Sequence, residues 1–413
     1  MMRSSLSDRV SRDEIVALAS RLISIPSTSG EERAVMEEVT RWCSRWDLPF
    51  QVIGIDPERP NVIVSLGDPT QGPTIAMNGH LDTVPVSDLR AWKTGPYEPT
   101  VSEDGQKLLG RGASDMKSSV AVMLHVMSVL NDNPLQGSVQ THVVSDEETG
   151  GTVGTKFLLG EISSGRVPRP DYCLIGEKSD LKVRNAERGI VAINVTCLGR
   201  ASHTAAARVT GVNAIVKAAK AILALDKDID RFHPAVGKPV ISINTIRAGV
   251  AHNVVPSECT FSIDRRLIPG ETKESALAEI VDALDSIARD DPGFRYELDV
   301  DPLEDHIPAN ITDENSPLVQ ALQAGVKDVT GQDPEYFVAW AGATDGRFYR
   351  QAGIDTVGYG PGGENAHGAN EAVKIDDLVT QAKVYVETIS RLVSARSGET
   401  PEERRQSSGH GFP

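Results

Sequence analysis

Basic charge is in deficit. The 413-residue chain carries 42 lysines and arginines against 58 aspartates and glutamates, a formal net charge of −16. Nucleic acid and anionic membranes both require basic patches, so neither is expected as a partner, and the acidity serves solubility. Cysteine is scarce. Cys43, Cys173, Cys197 and Cys259 stand far apart without CxxC spacing, and Cys173 and Cys197 fall in apolar, strand-like runs. Buried free thiols in a reducing cytoplasm are expected. No apolar run approaches membrane-spanning length. The opening residues MMRSSLSDRV lack the apolar core of a secretory signal.

The length suits two domains. Ser11 and Glu14 read as a capping box for a helix over 11–23, with Ile15, Leu18, Ala19 and Leu22 on one face. Ser29 and Glu32 repeat that pattern ahead of Val35, Val39, Trp42 and Trp46. Strands are expected at 51–56, 61–67, 74–79, 138–145 and 171–176, and helices at 116–130 and 152–159, which makes an α/β layer around a mixed sheet. Near residue 189 the pattern changes to strand (191–199), helix (211–225), strand (240–248), strand (257–266), helix (272–289), strand (294–300). This β-α-β-β-α-β order is that of a ferredoxin-like domain. The expected organisation is a catalytic domain from 1–188 and 305–396, an insertion at 189–304, and a polar tail at 397–413.

Histidines and carboxylates recur at strand ends. In GHLDTVP, His80 and Asp82 are two apart, so an extended backbone puts both on one face and Asp82 can fix the imidazole tautomer. In GRGASDMKSS, Asp115 precedes an apolar helix. In VVSDEETGG, three acids in a row follow an apolar strand, and their mutual repulsion calls for a strong positive charge opposite. On extended backbone Glu147 and Glu148 would point to opposite sides, one to a metal and one to a substrate water. Glu177 ends another apolar strand in LIGEKSD, and His367 lies in the Gly-rich GYGPGGENAHGANE. Each has an ordinary reading alone: a solvated His–Asp pair, a helix-capping Asp, an acidic turn, a surface loop. Together they supply ligands for two divalent ions, and the N/O mix suits Zn²⁺, with Mn²⁺ or Co²⁺ as alternatives.

Taken in order, GHLDTVP, GRGASDMK, DEETGG, IGE, NVVP, DRRLIPG, TDGR and PGGENAHGANE resemble one family over roughly 12–395. It is the two-metal amidohydrolase and peptidase family of aminoacylase, acetylornithine deacetylase, succinyl-diaminopimelate desuccinylase and glutamate carboxypeptidase. The resemblance implies a mixed-sheet α/β catalytic domain with an inserted ferredoxin-like lid and dimerisation domain. It implies His80 and Glu177 on one ion, Glu148 and His367 on the other, and Asp115 bridging both. Glu147 would be general base and then acid, with Asp82 steadying His80. His203 in GRASHT would steady the oxyanion, in many members from the partner subunit. Asn253 and Arg266 would bind the substrate carboxylate, and Gly342, Thr344 and Asp345 would form a nearby loop.

The activity implied is hydrolysis of the amide of a small N-acyl amino acid by a cytoplasmic homodimer. A dipeptidase or carboxypeptidase is the second reading. A carbamoyl-amide hydrolase and a non-catalytic binding protein stand behind it. Three departures from the family pattern bear on the substrate pocket: Lys178 in place of Pro, Ser118-Ser119 in place of Gly-Gly, and Ala207 in place of Pro.

Overall fold

A computed structural model describes residues 5–300, 307–337 and 342–393. The tail expected at 397–413 and the boundary expected at 304 lie outside the described residues. The chain divides into two compact units. The first takes Met1–Val183, Asp313–Glu335 and Phe348–Pro413, and the second takes Arg184–Thr312 and Tyr336–Arg347.

The first unit is a mixed α/β layer. Its strands β1 (Phe50–Ile53), β2 (Asn61–Gly67), β3 (Thr74–His80), β4 (Ser138–Val144) and β5 (Tyr172–Ile175) join a last strand, Asp355–Gly358, in the order β1-β2-β4-β3-β5-(355–358). β3 is parallel to both β4 and β5, and the last strand is parallel to β5; the other pairs are antiparallel. Every residue of β3 and β4 is buried, as expected for strands covered on both faces. Among the helices that accompany them are α1 (Arg12–Ser24), α2 (Arg33–Arg45), α3 (Lys117–Leu130) and α4 (Thr155–Ser163). α3 is buried all round, packed on β3 and against α1 and the closing helix Ile375–Val393.

Local chemistry explains the boundaries. The Ser11 hydroxyl caps α1 by accepting from the Glu14 N–H at 3.3 Å. At the other end the buried Lys117 ammonium donates to the carbonyls of Leu22 (2.9 Å) and Ile25 (2.7 Å), filling acceptors that a helix C-terminus leaves open. Only half of the expected Ser11–Glu14 capping box forms, since the Ser11 N–H donates to His125 Nε2 at 3.0 Å, and the second expected box is absent. α2 begins without a side-chain cap, because Glu32 binds the Gly30 N–H and Arg59 and the Ser29 hydroxyl donates to Asp82. α4 starts later than expected, since Gly151 and Val153 turn back to bond Asp146 through their N–H groups (2.6 and 3.0 Å).

The second unit is the ferredoxin-like fold. It runs β6 (Gly189–Leu198), α5 (Ala214–Leu225), β7 (Val240–Ala248), β8 (Glu258–Leu267), α6 (Lys273–Asp290) and β9 (Arg295–Val300), with all-antiparallel order β7-β8-β6-β9. β6 alternates strictly, so Val191, Ile193, Val195 and Cys197 enter a core shared with Ala218, Phe261 and Ile280. β7 is an edge strand. All four cysteines are free and buried.

Candidate metal centre

In the first unit, β3, β4 and β5 run parallel, and their carboxyl ends deliver His80, the Glu147–Glu148 turn and Glu177 to one place. This is the usual position of a site in an open α/β sheet. Asp115 arrives from the loop before α3, and His367 from the loop between 364 and 372. The His80 Nε2 lies 3.2 Å from Asp115 Oδ1 and 3.2 Å from Glu177 Oε1. The His367 Nε2 lies 3.2 Å from Asp115 Oδ2 and 3.1 Å from Glu148 Oε1. Asp115 therefore turns one carboxylate oxygen to each histidine. The ligand atoms of His80, Glu147 and Glu177 lie within 4.8 Å of one another, as do those of His80, Asp115 and Glu148.

Asp82 organises this cluster from beneath. The His80 Nδ1–H donates to the Asp82 backbone carbonyl at 2.9 Å, with the Asp82 carboxylate at 3.4 Å. That fixes the tautomer and leaves Nε2 facing Asp115 and Glu177. The main partners of the Asp82 carboxylate are others. Its Oδ1 accepts the Glu147 N–H (3.1 Å), and its Oδ2 accepts the Glu148 N–H (3.2 Å) and the Ser29 hydroxyl (2.7 Å). Asp82 thus fixes the imidazole chiefly through its backbone carbonyl and, through its buried carboxylate, the turn that carries the two glutamates.

Two expectations need correcting. Glu147 and Glu148 are not on extended backbone. Asp146 adopts a left-handed conformation (φ 73°), and Glu147–Thr149 forms a 3₁₀ turn, so both glutamates reach the cluster. Nor do all three acids face it. Asp146 pairs with Arg59 at 2.6 Å, and Arg59 also binds the buried Glu32 at 2.8 Å. A guanidinium is the counter-charge for Asp146.

The Glu177 turn is held by close backbone packing. Ser119, one of the departures, donates its hydroxyl to the Gly176 carbonyl at 2.6 Å. A side chain at Gly360 would come within 2.2 Å of the Glu177 carbonyl oxygen, so only glycine admits this approach. Lys178 is half-buried, and its ammonium donates to the Gly363 carbonyl at 2.6 Å.

The cluster fits divalent ions. Ligands of a tetrahedral ion with bonds of about 2.0–2.1 Å stand about 3.3 Å apart, close to the N···O separations here. The buried Glu148 Oε1 is met by no well-aligned hydrogen bond, and its one close polar neighbour is the His367 Nε2 at 3.1 Å. Burial opposes charge on His80, but Asp115, Asp82 and Glu177 outweigh it and hold the imidazole well above its ordinary value. Asp115 and Glu148 raise His367 to about 10. A field that makes both imidazoles this basic is one that also favours a cation.

The second unit holds the remaining expected residues. His203 lies on a short ribbon in which Ser202–His203 pairs with Val254–Val255, and the Thr204 N–H donates to the Asn253 carbonyl at 3.1 Å. His203 Nδ1 accepts the Ala205 N–H at 3.2 Å, so the neutral ring carries its proton on the exposed Nε2. Arg266 is at the other end of β8, about 25 Å away by strand rise, bound in a two-pronged pair to Asp264 (2.7 and 2.9 Å). The structure brings His203 and Asn253 together but not Arg266. The loop with Gly342, Thr344 and Asp345 is tied within this unit by Arg184 to the Gly342 carbonyl and by Thr344 to Glu187.

The roles of Arg59, Lys117, Arg111 and Glu371, and the bond from Ser29 to Asp82, were not legible in the sequence, because each joins residues far apart in the chain. Glu371, four residues after His367, was visible only as part of a motif.

The sequence profile described as peptidase family M20/M25/M40 matches residues 76–391. A succinyl-diaminopimelate desuccinylase of Marinobacter nauticus is 32% identical over 333 residues, covering 78% of this chain and 84% of that one. Its counterpart in Shewanella pealeana is 30% identical over 390 residues, covering 92% and 97%. Among solved structures, a tripeptidase of Staphylococcus aureus superposes with a TM-score of 0.74 at 21% identity, covering 93% and 99%; at that identity the likeness speaks for the fold alone.

Proposed function

The chain belongs to peptidase family M20/M25/M40, and from that premise we propose that it removes a succinyl-type acyl group from the amine of a small amino acid at a dinuclear centre. It is a metal-dependent amidohydrolase. The acyl group is carried over from the desuccinylase relatives. The dinuclear reading rests on one observation: Asp115 faces His80 with one oxygen and His367 with the other.

In this reading His80 and Glu177 hold one ion, His367 and Glu148 hold the second, and Asp115 bridges them. Zn²⁺ is the proposed ion, from the N/O ligand set. Bound ions would lower the pKa of water and polarise the amide carbonyl. Glu147 takes a proton from the attacking water and returns it to the leaving nitrogen. Asp82 holds His80 and Glu147 in register for that transfer. The Nε2–H of His203 donates to the oxyanion, and Asn253 and Arg266 bind substrate carboxylates.

Asn253 lies in the loop that precedes β8 and Arg266 near that strand's far end, too far apart for one small substrate to touch both in a single copy. A homodimer in which they come from different subunits resolves this. The edge strand β7 and the adjoining α5 fit such an interface: Ile246 is 53% and Leu223 77% exposed, an apolar edge that an isolated chain would cover or charge. A cytoplasmic location accords with four free thiols. No helix among the described residues is long and apolar enough to cross a membrane.

The test is hydrolysis by Zn²⁺-, Co²⁺- and Mn²⁺-loaded protein of succinyl-diaminopimelate, other N-succinyl and N-acetyl amino acids, and dipeptides. Preference for succinyl amides supports the proposal. Preference for dipeptides replaces it with the peptidase reading, and chelator-insensitive or absent hydrolysis refutes both.

A further inference from the structure

Behind the proposed ligands lies a second device, built on a carboxylate that does not face the cluster. Glu371 is completely buried. Its Oε1 accepts the N–H groups of Ser114 (2.8 Å) and Asp115 (3.0 Å), and its Oε2 accepts the Gly112 N–H (2.9 Å) and the Arg111 Nη1–H (2.7 Å). Its backbone carbonyl accepts the Gly110 N–H at 3.0 Å. Residues 110–115 are therefore wrapped around one side chain. The other prong of Arg111, Nη2, donates to the backbone carbonyl of His367 at 3.2 Å, and the guanidinium lies 5.4 Å from the centre of the Trp92 ring.

These contacts close a circuit. Asp115 hangs by its own N–H from Glu371, Glu371 binds Arg111, and Arg111 grips the residue that carries the facing imidazole. The His367 backbone is left-handed (φ 62°), as is that of Asn370 (φ 57°), conformations that non-glycine residues keep only when the surroundings hold them. A buried, charge-neutral Arg–Glu pair is a weak source of stability. This one, however, joins two loops from opposite halves of the chain at the point where each delivers a side chain to the other.

We propose that Arg111 and Glu371 are positioning residues that fix Asp115 against His367 and so set the affinity of the ion position those two share. The proposal rests on the dinuclear reading. Glutamine cannot replace Glu371: with its NH₂ group in either orientation, that group opposes two donors, Ser114 and Asp115 N–H on one side or Gly112 N–H and Arg111 on the other. Lysine at 111 keeps the charge beside Glu371 but cannot reach both partners as a rigid fork does.

The experiment titrates metal-stripped wild type, Glu371→Gln and Arg111→Lys with Zn²⁺ by calorimetry, and with Co²⁺ by visible absorption. Thermal unfolding of the metal-free proteins is followed alongside. Wild type should bind two ions. In both variants one of the two ions, that shared by Asp115 and His367, should lose tenfold or more in affinity, the usual consequence of removing a partner behind a ligand, with a changed Co²⁺ spectrum for that ion and less effect on the other. Both ions binding within threefold of wild type with unchanged spectra overturns the proposal. So does an equal loss at both positions that tracks a fall in metal-free stability, the mark of a merely structural pair. Should Glu371→Gln fail to fold, Arg111→Lys decides. Wild type binding fewer than two ions instead overturns the dinuclear reading on which the proposal stands.

Discussion

Replacing Asp82 by asparagine keeps the size of the side chain and removes its charge. The native carboxylate is fully buried, with the Glu147 N–H and His80 on its Oδ1 side and the Glu148 N–H and Ser29 hydroxyl on its Oδ2 side. An asparagine must turn its NH₂ to one of those sides. On the first it opposes the Glu147 N–H and the His80 Nδ1–H; on the second it opposes the Glu148 N–H. Either way a backbone donor of the catalytic turn loses its acceptor, at a cost of roughly 1–3 kcal/mol. With 1.4 kcal/mol per factor of ten, kcat/KM should fall about 10- to 100-fold. The assay is steady-state hydrolysis of the best N-succinyl substrate at saturating Zn²⁺, beside a Zn²⁺ binding isotherm. The loss should appear in kcat, because the displaced groups are those of the proton transfer. Asp82→Asn within twofold of wild type in kcat/KM and in metal affinity would refute the reasoning, as would a loss confined to KM.

Glu147→Gln should retain both ions by elemental analysis yet lose about 10²- to 10⁴-fold in kcat; near-normal turnover would remove Glu147 from the role of base. Burial holds His125 down to about 4 and His142 to about 3. The unfolded chain therefore takes up more protons than the folded one below pH 6.5, and stability present above that pH is lost as pH falls towards 4. For His125 the loss between pH 6.5 and 5 is about 2 kcal/mol. Urea denaturation in chelator at pH 7 and 5 should show a drop smaller by about that amount in His125→Gln, and an unchanged drop would contradict the assignment. If the protein is the proposed homodimer, wild type should scatter as a dimer and Ile246→Lys on the β7 edge as monomers with lower activity; a monomeric wild type would refute the dimer, and an intact dimer in the variant would place the interface elsewhere.

Much of the site was legible because its chemistry restricts residue choice. Only a few side chains ligate a divalent cation, and β3, β4 and β5, buried on both faces, read as apolar runs ending in His80, the acidic turn and Glu177. The ferredoxin-like insertion was legible for a related reason: β6 alternates with period two, and α5 and α6 carry their own caps at Asn213 and Thr272. What stayed hidden depends on partners distant in sequence. Ser29 and Glu32 have the spacing of a capping box, but Asp82 and Arg59, supplied by the fold, compete for them. Asp146 could not be separated from its two neighbours until the left-handed backbone turned it towards Arg59. Arg111 and Glu371 are 260 residues apart, and no local periodicity announces such a pair. For Arg266, a motif position suggested substrate binding without revealing that Asp264, two residues earlier on the same face, already occupies two of its donors.

The central claim is that Asp115 bridges two ions between two histidines. Anomalous diffraction from Zn²⁺-loaded crystals tests it most directly. The account predicts two peaks about 3.5–4 Å apart, one on His80 and Glu177, the other on His367 and Glu148, with one Asp115 oxygen on each. A single peak, or two with Asp115 bound to only one, would contradict it.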